Sequence, residues 1–297
     1  MITHEQRYNS LRRLVDDRLR KIITHKSPKE LTDACRYVLS AGGKRVRSTL
    51  VLLSCEAVGG KVQHAVDASA AVELLHNFTL VHDDIMDHAA SRRGRPTVHT
   101  KWNVNNALLV GDVLLGLAYQ RVLKSNSGHL HRILNVFTQG VIDVCEGQAL
   151  DLEFETRSDV TVEDYFAMIK KKTGCLISTS TELGGLLGNG TEKQIASLNK
   201  FGRFLGQAFQ LQDDLLDVVA NEQQFGKPIG GDIIEGKKTF LLLKSLEHAK
   251  GKDRKTLLRV MNRRTSASLR SRSEREGEVQ RITAIYESTG AIEAARQ

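Results

Sequence analysis

Apolar residues recur every three or four positions along most of this 297-residue chain. In AAVELLHNFTLVHDDIMD, Ala71, Leu74, Leu75, Phe78, Val81 and Ile85 form one such stripe, the period of a helix with one face turned to a core. Similar stripes run through VNNALLVGDVLLGLAYQRVL, VFTQGVIDVCEGQALDLEFE and IASLNKFGRFLGQAFQLQDDLLDVV. Glycine-rich breaks (AGGKRVR, RRGRPTVH and FGKPIGGDIIEGKK) fall between them. Several of these segments are apolar around most of their circumference, as helices in the middle of a bundle are. With no proline- or glycine-rich linker and no short tandem repeat, the pattern predicts one all-α domain over residues 1–297, of about ten helices. The three prolines, Pro28, Pro96 and Pro228, agree with this, since sheet folds of such length need more turns.

Composition changes little until charge is located. Hydrophobic residues make up 40% and charged residues 26%, ordinary for a soluble globular chain. The formal charge is +8, but residues 250–281 hold 11 Lys or Arg against 4 acids, so the remainder is close to neutral. Within that stretch NRRTSASLRSRSEREGE lacks a helical stripe, and residues 262–280 are expected to be a mobile basic segment. It carries no aromatics to stack on bases, so nucleic acid is not an expected partner. Cys35, Cys55, Cys145 and Cys175 form no CxxC pair, which fits a reducing compartment better than a disulfide scaffold or zinc site. The opening MITHEQRYNS has no apolar run after its charges, and Asp112 interrupts the most apolar stretch, NALLVGDVLLGLAY. A cytoplasmic protein without stable membrane insertion is expected.

Two segments carry the same acidic pattern: DDIMD, with Asp83, Asp84 and Asp87, and DDLLD, with Asp213, Asp214 and Asp217. On a helix, positions i and i+4 share a face, so Asp83 points with Asp87 and Asp213 with Asp217. Like charges bunched in an apolar helix are destabilising unless a cation offsets them. Carboxylates without His or Cys at ligand spacing select hard cations, and magnesium takes few carboxylates together with phosphate oxygens and water. One such motif could be a solvated acidic turn; two, each embedded in an apolar helix, point to metal.

Bases accompany the acids. His76 lies two helical turns before Asp83, and Arg92 and Arg93 follow in SRRGRPTVH. AGGKRVRS presents Lys44, Arg45 and Arg47, and FGKPIGGDIIEGKKT presents Lys227, Lys237 and Lys238. Magnesium held by carboxylates and ringed by Lys and Arg is what diphosphate binding requires. There is no GxxxxGK[ST] loop and no GxGxxG after a strand, so phosphate handling here rests on metal and side chains.

At these residues the chain resembles the trans-type polyprenyl diphosphate synthases. The likeness runs in order through GGKRVRS, DDIMDHAASRRGRPTVH, GDVLL, KKTG, FQLQDDLLD and GKPIGGDIIEGKKT. It implies the isoprenoid synthase fold, a helical bundle around a central active-site cavity, normally a homodimer. It also implies head-to-tail condensation of isopentenyl diphosphate with an allylic diphosphate (dimethylallyl, geranyl or farnesyl), with several magnesium ions per site. Carried over by position, Asp83 and Asp87, with Asp84 nearby, resemble ligands for magnesium on the allylic diphosphate. Asp213 and Asp217 resemble ligands for a further ion. Lys44, Arg47, His76 and Arg93 resemble the isopentenyl diphosphate site. Arg92, Lys172, Lys227 and Lys237 resemble residues holding the allylic diphosphate, and Thr173 and Gln210 correspond to polar positions at the reaction centre. Relatives usually continue past STGAIEAARQ through another helix.

The resemblance also bears on product length. Phe78 and Thr79 lie just before the first motif, and at about 1.5 Å per residue Phe78 is roughly 7 Å below its acidic end. A single aromatic there, without an insertion in DDIMD, resembles enzymes making the twenty-carbon geranylgeranyl diphosphate. The farnesyl enzyme is the alternative product class, and a class I terpene cyclase the alternative reaction. A cyclase would leave Lys44, Arg47 and Arg93 idle. Head-to-head synthases lack the GGKRVRS and RRGRPTVH segments, and non-catalytic subunits tend to lose one aspartate cluster, whereas both are complete here.

Overall fold

A computed structural model describes residues 3–24, 28–125, 127–220, 229–263 and 271–297. The chain is all-α. The helices are α1 (His4–Arg20), α2 (Lys29–Leu39), α3 (Val46–Ala57), α4 (Val66–Met86), α5 (Val98–Lys101), α6 (Val104–Leu123), α7 (Leu130–Thr156) and α8 (Val162–Ile169). They continue as α9 (Cys175–Leu187), α10 (Glu192–Val219), α11 (Gly231–Glu235), α12 (Phe240–His248), α13 (Gly251–Met261), α14 (Arg272–Ser288) and α15 (Ala291–Arg296). Among the described residues, the strands are a two-residue antiparallel pair, β1 (Ser91–Arg92) and β2 (Arg95–Pro96), with Ser91 opposite Pro96.

By backbone proximity the chain forms two compact units. The first comprises residues 1–144 and 175–203. Its core is α4, whose small residues Ala68, Ser69, Ala70 and Ala71 are fully enclosed and let neighbouring helices approach closely. Leu52, Leu74, Leu75, Leu114, Ile133 and Phe137 fill the same cluster. α3 meets α9 at Gly184, where a Cβ would lie 2.3 Å from the carbonyl oxygen of Val51. Only glycine permits that approach.

The second unit comprises residues 145–174 and 204–297. Tyr165, Ile169, Leu241, Leu242, Leu257, Ile282 and Tyr286 form its core. α8 begins with a capping box, Thr161 accepting from the Asp164 amide and Asp164 from the Thr161 amide.

Two expectations need correction. Of the basic stretch 262–280, residues 264–270 lie outside the described residues, but 272–280 are helical and open α14. Ser271 caps that helix in a capping box with Glu274, a local signal strong enough to start a helix without an apolar stripe. Arg263 is tied to it by an ion pair with Glu278. Second, α6 is, by length and composition, apolar enough to cross a membrane, with a mean hydropathy of 1.2. Asp112 does not break that run. Ala107, Val110, Gly111, Leu114, Leu117 and Ala118 of α6 are buried in the first unit.

Candidate active site

In the first unit, Asp83 and Asp84 end α4 and Asp87 caps it. Asp83 is half-buried and Asp87 exposed, while Asp84 is only 5% exposed. Nε of Arg92 donates to Asp84 Oδ1 at 2.6 Å. Burial raises the Asp84 pKa, against the pull of Arg92. The motif is thus divided: the middle carboxylate anchors the hairpin to α4, and the outer two are left at the helix end.

Arg93 and Gly94 turn the hairpin, both with positive φ (54° and 72°), the paired left-handed conformation of a tight two-residue turn. For arginine this is an unfavourable backbone region. It carries the Arg93 guanidinium to the carbonyl of Gly42. Gly43 makes room for it, since a Cβ there would lie 3.2 Å from Arg93 Nη1.

Around His76 the cations converge. Its pKa lies well below the ordinary value of 6.5, because burial and then the charges of Arg47, Arg93, Arg92 and Arg45 oppose protonation. His76 is therefore neutral at pH 7. Burial also lowers the pKa of Arg47 and Arg93, but both remain guanidinium ions. Lys44 is exposed beside them.

Arg45, read above as one of three presented bases, belongs to the scaffold. It is buried and bonded to Asp16 at 2.9 Å and to Glu73 at 2.8 Å. Glu73 also accepts from Ser48 at 2.8 Å. The sequence held no sign of this, because the partners come from α1 and α4, far along the chain. With Arg45 in the left-handed region at φ 55°, this ion pair fixes the start of α3 and with it Lys44 and Arg47.

In the second unit, Lys172 and Thr173 lie on a π-helical turn, Lys170–Gly174, between α8 and α9. Two glycines admit this widened turn. A Cβ at Gly147 would lie 2.2 Å from the Lys172 nitrogen, and one at Gly206 would lie 2.5 Å from Gly174 Cα. Lys172 pairs with Asp151. Thr173 donates to the side-chain oxygen of Gln210 at 2.7 Å, and Gln210 donates to Asp214 at 2.9 Å.

Asp214, 4% exposed, repeats the role of Asp84 with different partners. It accepts from the Tyr165 hydroxyl at 2.7 Å and the Phe240 amide at 3.4 Å. Burial pushes its pKa up to about 6. Asp213 is exposed and Asp217 half-buried. Asp217 accepts from the amide of Asp232 at 3.1 Å, and Lys237 lies 3.5 Å from Asp232. Lys227 lies outside the described residues. Lys238, grouped above with the bases, is buried and donates to the carbonyl of Glu155.

Sequence reasoning missed Tyr165 and Asp232. Tyr165 has no motif around it. Asp232 stands inside GGDIIEG, where GGD between lysines was the available signal; its burial and the neighbouring acids Asp217 and Asp214 push its pKa up to about 7.

Among the described residues, no three His, Cys, Asp or Glu side chains gather as a metal cage. Each motif instead offers its outer pair of carboxylates, the donor set magnesium accepts when phosphate oxygens and water complete its shell. The residues present fit the ion in that form.

The profile of the polyprenyl synthetase family matches residues 28–274. The chain belongs to this family. It is 43% identical over 283 residues to the short chain isoprenyl diphosphate synthase of Methanothermobacter thermautotrophicus, covering 95% of this chain and 84% of that one. It is also 43% identical over 237 residues to the geranylgeranyl diphosphate synthase of Saccharolobus solfataricus, covering 78% and 71%. Among solved structures, geranylgeranyl pyrophosphate synthetase from Pyrococcus horikoshii superposes with a TM-score of 0.90 at 39% identity, covering 98% of this chain and 88% of that one. The family fold explains the all-α architecture, and membership makes this chain a prenyltransferase.

Proposed function

We propose that the chain condenses isopentenyl diphosphate with allylic diphosphates, the five-, ten- and fifteen-carbon acceptors in turn, to the twenty-carbon geranylgeranyl diphosphate. The observation that carries this is the hairpin after α4, whose Arg92 is bonded to Asp84 and whose Arg93 guanidinium reaches the carbonyl of Gly42, so that both cations stand between the outer aspartates and the Lys44–Arg47 segment. A cluster of guanidinium ions around one spot, next to carboxylates, recognises a polyanion that brings its own cation.

In the first unit, Lys44, Arg47, His76 and Arg93 hold isopentenyl diphosphate. Neutral, His76 can donate one hydrogen bond to a phosphate oxygen without adding to the crowded positive charge. Asp83 and Asp87 would hold magnesium on the allylic diphosphate, and Arg92 contacts that diphosphate. In the second unit, Asp213 and Asp217 would hold a further ion, and Lys172 and Lys237 offer cations to a diphosphate, a role that the resemblance also gives Lys227. Magnesium held there would supply neutralisation of the charge that develops on the leaving diphosphate. Thr173 and Gln210, held by their mutual hydrogen bond, present fixed dipoles toward the developing positive charge. Attack by the isopentenyl double bond and loss of a proton to the departing diphosphate complete the step.

Phe78 closes the floor that sets product length, with Thr79 beside it. Exposed Val104, Leu108 and Leu109 on α6 favour a homodimer through that helix. The protein acts in the cytoplasm.

The test is incubation with isopentenyl diphosphate and dimethylallyl, geranyl or farnesyl diphosphate, with magnesium and then with chelator. Magnesium-dependent elongation ending at twenty carbons is expected. Cyclic hydrocarbon from a single diphosphate, or no elongation, would contradict the assignment.

A further inference from the structure

Just before Asp83, α4 carries a contact that the transfer chemistry does not use. Phe78 and His82, one turn apart on α4, meet edge to face with centroids 4.8 Å apart and an interplanar angle of 63°. Phe78 is only 8% exposed. On its other side His82 reaches α6, where Nε2 lies 3.3 Å from the carbonyl oxygen of Leu108; as the Nε2–H tautomer it donates there. One residue type on α6 makes this position available. A Cβ at Gly111 would lie 2.1 Å from His82 Nε2 and 2.5 Å from its Cδ2. No side chain larger than hydrogen fits while His82 stays where it is.

We infer that His82 and Gly111 are positioning residues for product length: Gly111 admits the His82 imidazole between α4 and α6, and the imidazole holds the Phe78 ring across the floor. The inference rests on the reading of Phe78 as that floor. An aromatic ring on a helix has more than one staggered rotamer, so a floor made of a single ring needs a neighbour that blocks the alternative. His82 is that neighbour, and its own Nε2 edge is fixed by the Leu108 carbonyl and the glycine surface. Were the contact only helix packing, loosening it would lower stability and leave the product mixture as it was.

The experiment compares Phe78→Ala, His82→Ala, Gly111→Ala and the His82→Ala/Gly111→Ala pair by mass spectrometry of products at matched conversion, with thermal midpoints recorded alongside. Phe78→Ala lengthens the product and establishes the floor. His82→Ala, which removes atoms and introduces no clash, raises the fraction beyond twenty carbons several-fold. Gly111→Ala does the same, and the pair shifts the mixture no further than either alone. If Phe78→Ala lengthens the product while folded His82→Ala keeps the wild-type mixture, the inference is overturned and the floor stands. An unchanged mixture in Phe78→Ala overturns both, and that arm separates the two failures.

Discussion

The two aspartate motifs look alike in sequence and are built differently. In both, the middle carboxylate is buried and the outer two are left nearer the surface. Asp84 is held by a cation, Arg92, with Arg93 next to it in the hairpin. Asp214 is held by neutral donors, Tyr165, Gln210 and the Phe240 amide, with Asp213, Asp217 and Asp232 close by. The first region is therefore rich in positive charge and suited to an anion; the second is an acidic end whose charge calls for a cation. A repeated pattern of residue types does not fix a repeated electrostatic role, because the counter-charges come from elsewhere in the chain.

The largest effect tests what the regions share. Asp83→Ala should lower turnover on the order of 10²–10³-fold, by loss of metal-assisted charge stabilisation, with an unchanged circular dichroism spectrum. Near-normal turnover would remove the outer aspartates from the chemistry.

The next tests separate the anchors. Arg92→Ala leaves the buried Asp84 charge uncompensated, and should cost about 1–3 kcal/mol of stability once the partial exposure of Arg92 is allowed for. Tyr165→Phe removes one neutral donor from Asp214 and should cost about 1–2 kcal/mol. Urea midpoints give both values. Added salt should lower the loss from Arg92→Ala and leave that from Tyr165→Phe unchanged; equal salt dependence would mean that a cation and a hydroxyl anchor these carboxylates alike, and the contrast would fail.

The smallest effect is in pH dependence, where His76 and Asp214 act with opposite sign. His76 has a folded pKa below its ordinary 6.5. Below that pH the unfolded chain takes up a proton that the folded one refuses, so its stabilising contribution is present above pH 6.5 and lost as pH falls. Asp214 has a folded pKa of about 6 against an ordinary 3.8. Its contribution is present below 3.8 and lost as pH rises through 6. In chelator, His76→Asn should flatten the acid-side loss of stability and Asp214→Asn should flatten the opposite slope. Slopes of one sign for these two groups would refute the protonation states assigned to them.

The helices and the motifs were legible because both are local. The stripe through Ala71, Leu75, Phe78 and Ile85 belongs to α4, and DDIMD and DDLLD sit at helix ends. What the chain order hides are the pairings made across it. Arg45 looks like Lys44 and Arg47 until Asp16 and Glu73 are brought to it. Tyr165 has no neighbours in sequence that mark it, and becomes visible only when Asp214 meets its hydroxyl. Gly111 stands in the sequence only as the first residue of GDVLL; its purpose shows once His82 occupies the space. The start of α14 was misread for the reverse reason, since a capping signal at Ser271 outweighed a composition that suggested a loop.

The most direct test of the central claim is calorimetric titration of each diphosphate in turn. If a cationic site takes isopentenyl diphosphate through side chains and outer aspartates take allylic diphosphate through magnesium, chelator should leave the first binding largely intact and abolish most of the second. Arg47→Ala should weaken the first and spare the second. Equal dependence of both ligands on magnesium would contradict the account.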